Sequence, residues 1–298
     1  MKKVQVFTDS TSDLEKEYRD EAGLDYIKMV FTINGRNYDA DLEWPEISPK
    51  DYYEMMRKGD RAVTGQVKQS EVSEKVKKAF EAGYDVLYIA CSSKLSGSVN
   101  TAKVHAEEVL KEYPDRKLVC YDSLRSNLAE GLMAFDVAKM ANEGKTIEEL
   151  VEYLDNNRLK YQTVATVESL DWLRKAGRIT ATSAFFGNLF GVKPIIISDK
   201  NGNNYAFKKV KGRKTSLDEL VEIICQRLTS PKDYGVCIEH ADCEKDAQYV
   251  ADKIKERLNP KYVHVSCLGP IIGATVGPGT ITINFYGEEV TISGEEKQ

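Results

Sequence analysis

An α/β fold is predicted by three features of this chain of 298 residues: a parallel sheet with helices on both faces in an N-terminal domain over 1–160, and a second α/β domain with a mixed sheet over 161–298. The first feature is the segment 85–90 (Asp-Val-Leu-Tyr-Ile-Ala), whose unbroken apolar run is that of a strand buried on both faces. A hydroxyl-rich turn, Cys91-Ser92-Ser93-Lys94-Leu95-Ser96-Gly97-Ser98, leads on to Val99, Ala102, Ala106, Val109, Leu110 and Tyr113, one apolar stripe at helical spacing. The second feature is repetition. Strand, small polar turn and helix alternate as far as about residue 157, the pattern of parallel strands joined by crossover helices. The third is a hairpin after Tyr161 that interrupts the alternation and makes the second sheet mixed.

Taken in order, 4–8 is the first strand, and Asp9-Ser10-Thr11-Ser12-Asp13 leads into a helix that Gly23 stops. Residues 26–32 read as one strand, with Asn34-Gly35 turning it into a hairpin with Asn37-Tyr38. After an acidic loop over 39–47, Ser48-Pro49 supplies a cap and a first-turn proline for a helix over 50–58, ended by Gly59. Thr64-Gly65-Gln66 is a short connection to a helix over 70–82, stopped by Gly83. The helix after the serine turn starts near Ser96, its natural N-cap. Residues 117–121 form the next strand. Asp122-Ser123 and Ser126-Asn127 then open a helix over 128–142 that carries little charge on any face and so lies buried between layers. Thr146 and Glu149 are spaced as a capping box for the helix that follows.

In the second domain 161–167 is a strand, 170–175 a short helix, and Gly177-Arg178-Ile179 a turn. The apolar segment 181–190 contains Phe185, Phe186, Leu189 and Phe190, which call for a covering surface or a ligand. Residues 193–198 and 205–210 form the hairpin, helices at 217–228 and 244–258 alternate with strands at 236–239 and 262–265, and 280–285 is the last strand. The glycine-rich stretch 269–279 before it lets backbone approach a neighbour closely.

Composition narrows the function. With 42% hydrophobic residues the chain supports large cores, and a formal charge of −5 argues against nucleic acid as a partner. Lys208, Lys209, Lys211, Arg213 and Lys214 form a local basic cluster, read as a solvated hairpin. No apolar run reaches the roughly 20 residues of a membrane span, and no signal-peptide core precedes the first strand, so a cytoplasmic location is expected. The six cysteines lack paired spacing and read as reduced thiols rather than metal ligands. GxSxG, HExxH and a strand-linked GxGxxG are absent, so no catalytic residue, metal or cofactor is expected. His105, His240 and His264 fall outside the hydroxyl turns and read as structural.

What remains is a set of neutral hydroxyl donors at the carboxyl ends of parallel strands, where α/β sheets bind ligands, next to helix starts with free N–H groups. Such a set suits a carboxylate or phosphate beside an apolar pocket. Arg178, in its glycine turn, is either a contact to that ligand or a structural ion pair. Two function classes follow: a binding protein for an amphiphilic anion, or an enzyme acting on a small phosphorylated or carboxylated metabolite at the same turns.

Four motifs in this order resemble the DegV family of bacterial proteins, which bind long-chain fatty acids. They are Asp9-Ser10-Thr11-Ser12-Asp13-Leu14, Ser92-Ser93-Lys94-Leu95-Ser96-Gly97-Ser98, Gly177-Arg178-Ile179, and Gly269-Pro270-Ile271-Ile272-Gly273 with Gly277-Pro278-Gly279-Thr280. The resemblance spans essentially the whole chain. It implies one fatty acid buried between two α/β domains, with no further cofactor. Its carboxylate would be held by the threonine of a Thr-Ser-Gln-Pro loop, here Thr64, and by a serine of the central motif, here Ser96 with Ser93 as the alternative. In kinase-coupled members the acyl group is presented to a separate fatty acid kinase subunit, so the resemblance implies a lipid carrier without catalysis of its own. Gly65 and Val67 depart from that loop, and Thr275 stands where kinase-coupled members commonly carry a histidine near the head group.

Overall fold

The computed structural model describes residues 3–181 and 191–294. Its first part comprises β1 (Val4–Asp9), α1 (Lys16–Ala22), β2 (Asp25–Ile27), β3 (Val30–Ile33), β4 (Arg36–Asp39), α2 (Pro49–Arg57) and β5 (Val63–Thr64), then α3 (Gln69–Glu81), β6 (Asp85–Ala90), α4 (Ser98–Leu110), β7 (Leu118–Asp122), α5 (Asn127–Asn142) and α6 (Ile147–Asn157). The second comprises β8 (Tyr161–Thr166), α7 (Asp171–Ala176), β9 (Val192–Ser198), β10 (Asn204–Lys211), α8 (Arg213–Arg227) and β11 (Val236–His240), then α9 (Glu244–Leu258), β12 (Val263–Cys267), α10 (Pro270–Val276) and β13 (Ile281–Tyr286).

Strands β2-β1-β6-β7 form a parallel sheet in that order. The alternation of side chains along β6 explains why helices cover both of its faces. Val86, Tyr88 and Ala90 pack with Val72 and Phe80 of α3 and Val99 and Ala102 of α4, whereas Leu87 and Ile89 pack with Met133 and Val137 of α5 and Leu150 of α6. The second sheet, ordered β10-β9-β8-β13-β11-β12, is mixed: β11 and β12 are parallel and the other pairings antiparallel. Helices α8 and α9 cover one face of it through Leu220, Ile224, Val250 and Ile254. Its other face meets α5, which thus lies between the two sheets, and the low charge of that helix is accounted for. Both halves of the Thr146–Glu149 capping box form.

Close approach of α5 to the 10–12 turn depends on Gly131, where a Cβ would stand 2.5 Å from the Ser12 carbonyl oxygen. Gly131→Ala is expected to cost roughly 1–3 kcal/mol, read as a lowered denaturant midpoint, because backbone rather than a flexible side chain would have to move. An unchanged midpoint would mean that helix and turn are not in contact.

Three expectations need correction. The strand predicted over 26–32 is two strands in different sheets, β2 in the parallel sheet and β3 at the centre of a small antiparallel sheet ordered β4-β3-β5. The Met29 N–H donates to Ser10 Oγ (2.8 Å) and that of Lys28 to Glu71 Oε1 (3.3 Å), so side chains take the donors that a continuous ladder would need. The helix after the serine turn begins at Ser98 with Gly97 as N-cap, not at Ser96. Helix α8 begins at Arg213, within the basic cluster and ahead of its first apolar residue, and a polar first turn leaves no periodic signal. There Arg213 bonds Asp246 Oδ2 (2.8 Å) and Lys214 bonds Asp218 Oδ2 (2.7 Å). The glycine-rich 269–279 stretch, which contains a short helix, α10, makes the close approaches expected of it: Gly269 lies against Asp13, Gly273 against Tyr53, Gly277 against Trp172 and Gly279 against Glu168. Phe185, Phe186, Leu189 and Phe190 lie outside the described residues.

Candidate functional site

The carboxyl ends of β1 and β6, the inner face of β8 and β9, and α10 enclose a cavity of about 460 Å³. Its wall includes Thr64, Gly65, Gln66, Ser96 and Gly97 on one part and Met29, Leu95, Val167, Ile196, Ile271 and Val276 on another. Of the five candidates from sequence, Thr64, Ser96, Arg178 and Thr275 come together here. Ser93 does not. The turn closes through Leu95 N–H to Ser92 O (2.9 Å) and Ser96 N–H to Ser92 O (3.0 Å), leaving Ser93 exposed with its N–H on Asp122 Oδ1 (3.1 Å).

Thr64 is held by a strand that is only two residues long. It pairs opposite Phe31, and the next N–H, of Gly65, donates to Val30 O at 2.7 Å. Ser96 is fixed by its own turn: its Oγ accepts the Ser98 N–H (3.2 Å) and lies 2.9 Å from Ser98 Oγ, which in turn accepts the Val67 N–H (3.3 Å). The threonine loop and the serine turn are therefore tied to each other. Gln66 completes the tie. Thr101 Oγ donates to its Oε1, and the amide lies over Gly97, where a Cβ would stand 2.6 Å from Nε2. No role for Gln66 followed from sequence. The available signal was its position two residues after Thr64, which puts both on one face of an extended segment.

Arg178 is the one charged side chain among the described lining residues. Its Nε donates to Leu95 O (3.0 Å) and its Nη1 to Ala176 O, so the guanidinium clamps the serine turn to the end of α7. Thr275 Oγ donates to Ile271 O (3.2 Å), one helical turn back, which commits its proton and leaves only its lone pairs for a ligand.

A buried polar platform supports the cavity floor. Asp9 accepts from Tyr88 Oη (2.8 Å), Cys91 N–H (3.1 Å) and Thr11 N–H (2.9 Å). Thr11 Oγ lies within bonding distance of both Asp9 and Glu130, yet a hydroxyl has one proton. Burial pushes the Glu130 carboxyl well above its ordinary range, and the negative charge of Asp9 adds to this. A protonated Glu130 donating to Thr11, which donates to Asp9, satisfies the chain of bonds. The same burial pushes the Cys91 thiol well up, so it lines the cavity as a neutral group and not as a nucleophile.

Among the described residues no cluster of histidine, cysteine and acidic groups has the makings of a metal site, and the six cysteines are free. No described helix is long and apolar enough to cross a membrane. His264 lies 2.7 Å from Glu15 Oε2, away from the cavity, and His105 and His240 do not line it either.

The family model described as "Uncharacterised protein, DegV family" matches residues 3–288. A DegV domain-containing protein of Clostridium perfringens is 33% identical over 288 residues, covering 97% of this chain and 99% of that protein. Among solved structures, a DegV lipid binding protein from Thermotoga maritima aligns with a TM-score of 0.83 at 27% identity, over 97% of this chain and 100% of the other. A DegV family protein from Thermus thermophilus described for its fatty acid binding aligns at 0.84 and 26%, over 96% and 100%. With a family model spanning nearly its whole length and a full-length relative at this identity, the chain belongs to the DegV family.

Proposed function

We propose that this protein binds one long-chain fatty acid in the cavity between its two sheets, the carboxylate meeting Thr64 and Ser96 and the chain lying along the aliphatic wall, and that it serves as a lipid carrier. The observation that carries this reading is the union, in one cavity of about 460 Å³, of a hydroxyl cluster with an aliphatic wall. That volume falls in the usual range of roughly 300–1,000 Å³ for small-molecule sites. The fatty-acid-binding relative from Thermus thermophilus supports it further. The runner-up, an enzyme for a small charged metabolite, called for a compact polar pocket. Leu95, Val167, Leu173, Ile196, Ile271 and Val276 make this wall aliphatic instead.

Energetics divide the roles. Burying about 15 methylenes at about 0.8 kcal/mol each gives roughly 12 kcal/mol of gross transfer energy, before ordering and association costs. Each neutral hydrogen bond to the head group adds only about 1 kcal/mol net. The tail therefore sets affinity and Thr64 and Ser96 set orientation. Thr64→Ala with Ser96→Ala is expected to weaken binding of a C16 acid by roughly tenfold to thirtyfold, measured by titration of delipidated protein, in a protein that still folds with a midpoint lowered by the lost Ser96–Ser98 bonds. Unchanged affinity would mean that other groups hold the carboxylate. Hand-over of the acyl group to a fatty acid kinase subunit also belongs to this reading. Thr275, whose proton is committed within α10, has no acid–base chemistry to offer there, so any such partner would have to supply it.

A further inference from the structure

We propose that the cavity carries a second polar subsite, formed by Ser126, Asn127 and Ser198, that receives an oxygen borne on the acyl chain itself, so that the matching ligand is a long-chain acid with a hydroxyl or keto group on its chain. The inference rests on the fatty-acid reading of the cavity and specifies the ligand further. The three side chains line the cavity and are 7%, 3% and 4% exposed, respectively. Most buried polar groups are paired, because a donor left dry loses its hydrogen bond to water without replacement. Ser126 stands at the N-cap of α5 without making the usual side-chain cap bond. Asn127 is engaged at its carbonyl end: Oδ1 accepts from the Ala129 N–H (3.3 Å) and lies 3.0 Å from Thr163 Oγ, whose one proton it shares with Asn284 Oδ1 (2.8 Å), and Nδ2 carries two further N–H groups. Neither that Nδ2 nor the hydroxyls of Ser126 and Ser198 meet a hydrogen-bonding partner among the described residues.

Sheet register makes these groups one patch. Antiparallel β8 and β9 pair Val164 with Ile197 and Ala165 with Ile196, and continuing that register sets Thr163 beside Ser198. Asn284 of β13 flanks Thr163 on its other side. A polar row, Ser198-Thr163-Asn284, thus crosses three strands, and Asn127 reaches it from α5. The next row on the same face is Ile196-Ala165-Thr282, so on β9 and β8 the fold tolerates apolar residues at this depth. Asn284 and Thr282 are already engaged, donating to Glu239 Oε2 at 2.6 and 3.0 Å. The unspent donors are those of Ser126, Asn127 and Ser198. All are neutral, and the patch contains no lysine, arginine or histidine, so it suits a neutral acceptor oxygen. A purely aliphatic chain laid against it would cover three donors and satisfy none. A site built to hydrogen-bond a ligand oxygen discriminates strongly against the analogue that lacks it.

The test is competition binding to delipidated full-length protein, with hexadecanoic acid against hydroxy- and oxo-hexadecanoic acids substituted at successive positions along the chain. One group of neighbouring positional isomers is expected to bind about tenfold tighter than the plain acid, and substitution elsewhere to bind worse. Ser126→Ala with Ser198→Ala should abolish that preference while tightening the plain acid, because dry hydroxyls are replaced by methyl groups. The inference is overturned if the wild-type protein prefers the plain acid to every isomer. It is also overturned if the double variant loses the plain acid as Thr64→Ala with Ser96→Ala does, for the patch would then be the carboxylate site. If no acid binds in any form, the fatty-acid reading itself fails, a result distinct from both.

Discussion

Arg125→Ala is expected to remove about 3–5 kcal/mol of folding stability, through lost guanidinium hydrogen bonds to backbone carbonyls and the cavity a large buried side chain leaves. The side chain is fully buried. Its Nε donates to Tyr161 O and its Nη1 to Leu124 O (2.7 Å) and Asp199 O (3.2 Å). One guanidinium thus ties the connection between β7 and α5 to the first residue of β8 and to the turn after β9. Burial lowers its pKa to about 10, with the Asp199 charge opposing the shift, so it stays cationic at neutral pH. Alanine would take the guanidinium donors from the Tyr161, Leu124 and Asp199 carbonyl oxygens, of which Asp199 O keeps the Gly202 N–H (3.1 Å). Arg125→Lys should recover little of the loss, since an ammonium cannot reproduce the planar fork. Denaturant unfolding of both variants checks this, and a loss below about 1 kcal/mol for alanine would contradict the buried clamp.

The second large effect concerns pH. Asp13, after β1, and Glu239, in β11, are buried carboxyl groups within reach of each other. Glu239 Oε2 accepts from Asn284, Thr282 and the Leu128 N–H, but its Oε1 and both oxygens of Asp13 have no donor. One proton between the two groups joins Glu239 to one oxygen of Asp13, and the Gly269 N–H stands beside the Asp13 carboxyl. Desolvation, then the charge of Glu239, pushes Asp13 well above its ordinary range, and desolvation pushes Glu239 from 4.5 to about 7. The groups facing the pair are Glu130 on α5, Tyr53 on α2, Cys237 on β11 and Cys267 on β12. None of the four is a cation, so nothing offsets a second negative charge.

A raised folded-state pKa means that the native protein holds a proton which the unfolded chain has released. The stabilisation is therefore complete below the unfolded carboxyl range of about 4 and is lost as pH rises to about 7. For Glu239 alone, the rise from 4.5 to about 7 corresponds to a loss on the order of 3 kcal/mol. Asp13→Asn is expected to flatten stability across that window, because the amide donates permanently to Glu239 and asparagine accepts the left-handed backbone at this position (φ 49°). Unfolding free energies of wild type and variant from pH 5 to 8 check this. Parallel curves would exclude a shared proton. His240 also titrates with a shifted pKa, and the difference between the two proteins cancels its contribution.

Legibility from sequence was uneven along the chain for a physical reason. Strand β6, the Asn34-Gly35 hairpin, the 146–149 capping box and the buried α5 were readable because each is written in a local period or a short capping pattern. The break between β2 and β3 was not, since the donors that interrupt it go to Ser10 and Glu71, distant in sequence. The start of α8 was hidden because its first turn is polar. Which of Ser93 and Ser96 lines the cavity depends on the backbone path of a turn whose serines look alike in sequence.

By itself the sequence determined the α/β class, the order of elements and the hydroxyl turns at the strand ends, for hydrophobic periodicity and turn chemistry act over only a few residues. Tertiary structure alone decided that Gln66 bridges Thr64 to α4, that Ser198 joins Asn127 through Thr163 on one wall, and that Asp13 meets Glu239 across the two sheets. Each of these joins residues far apart in the chain, and hydrogen bonding and shared protons depend on distance in space, which no local pattern encodes.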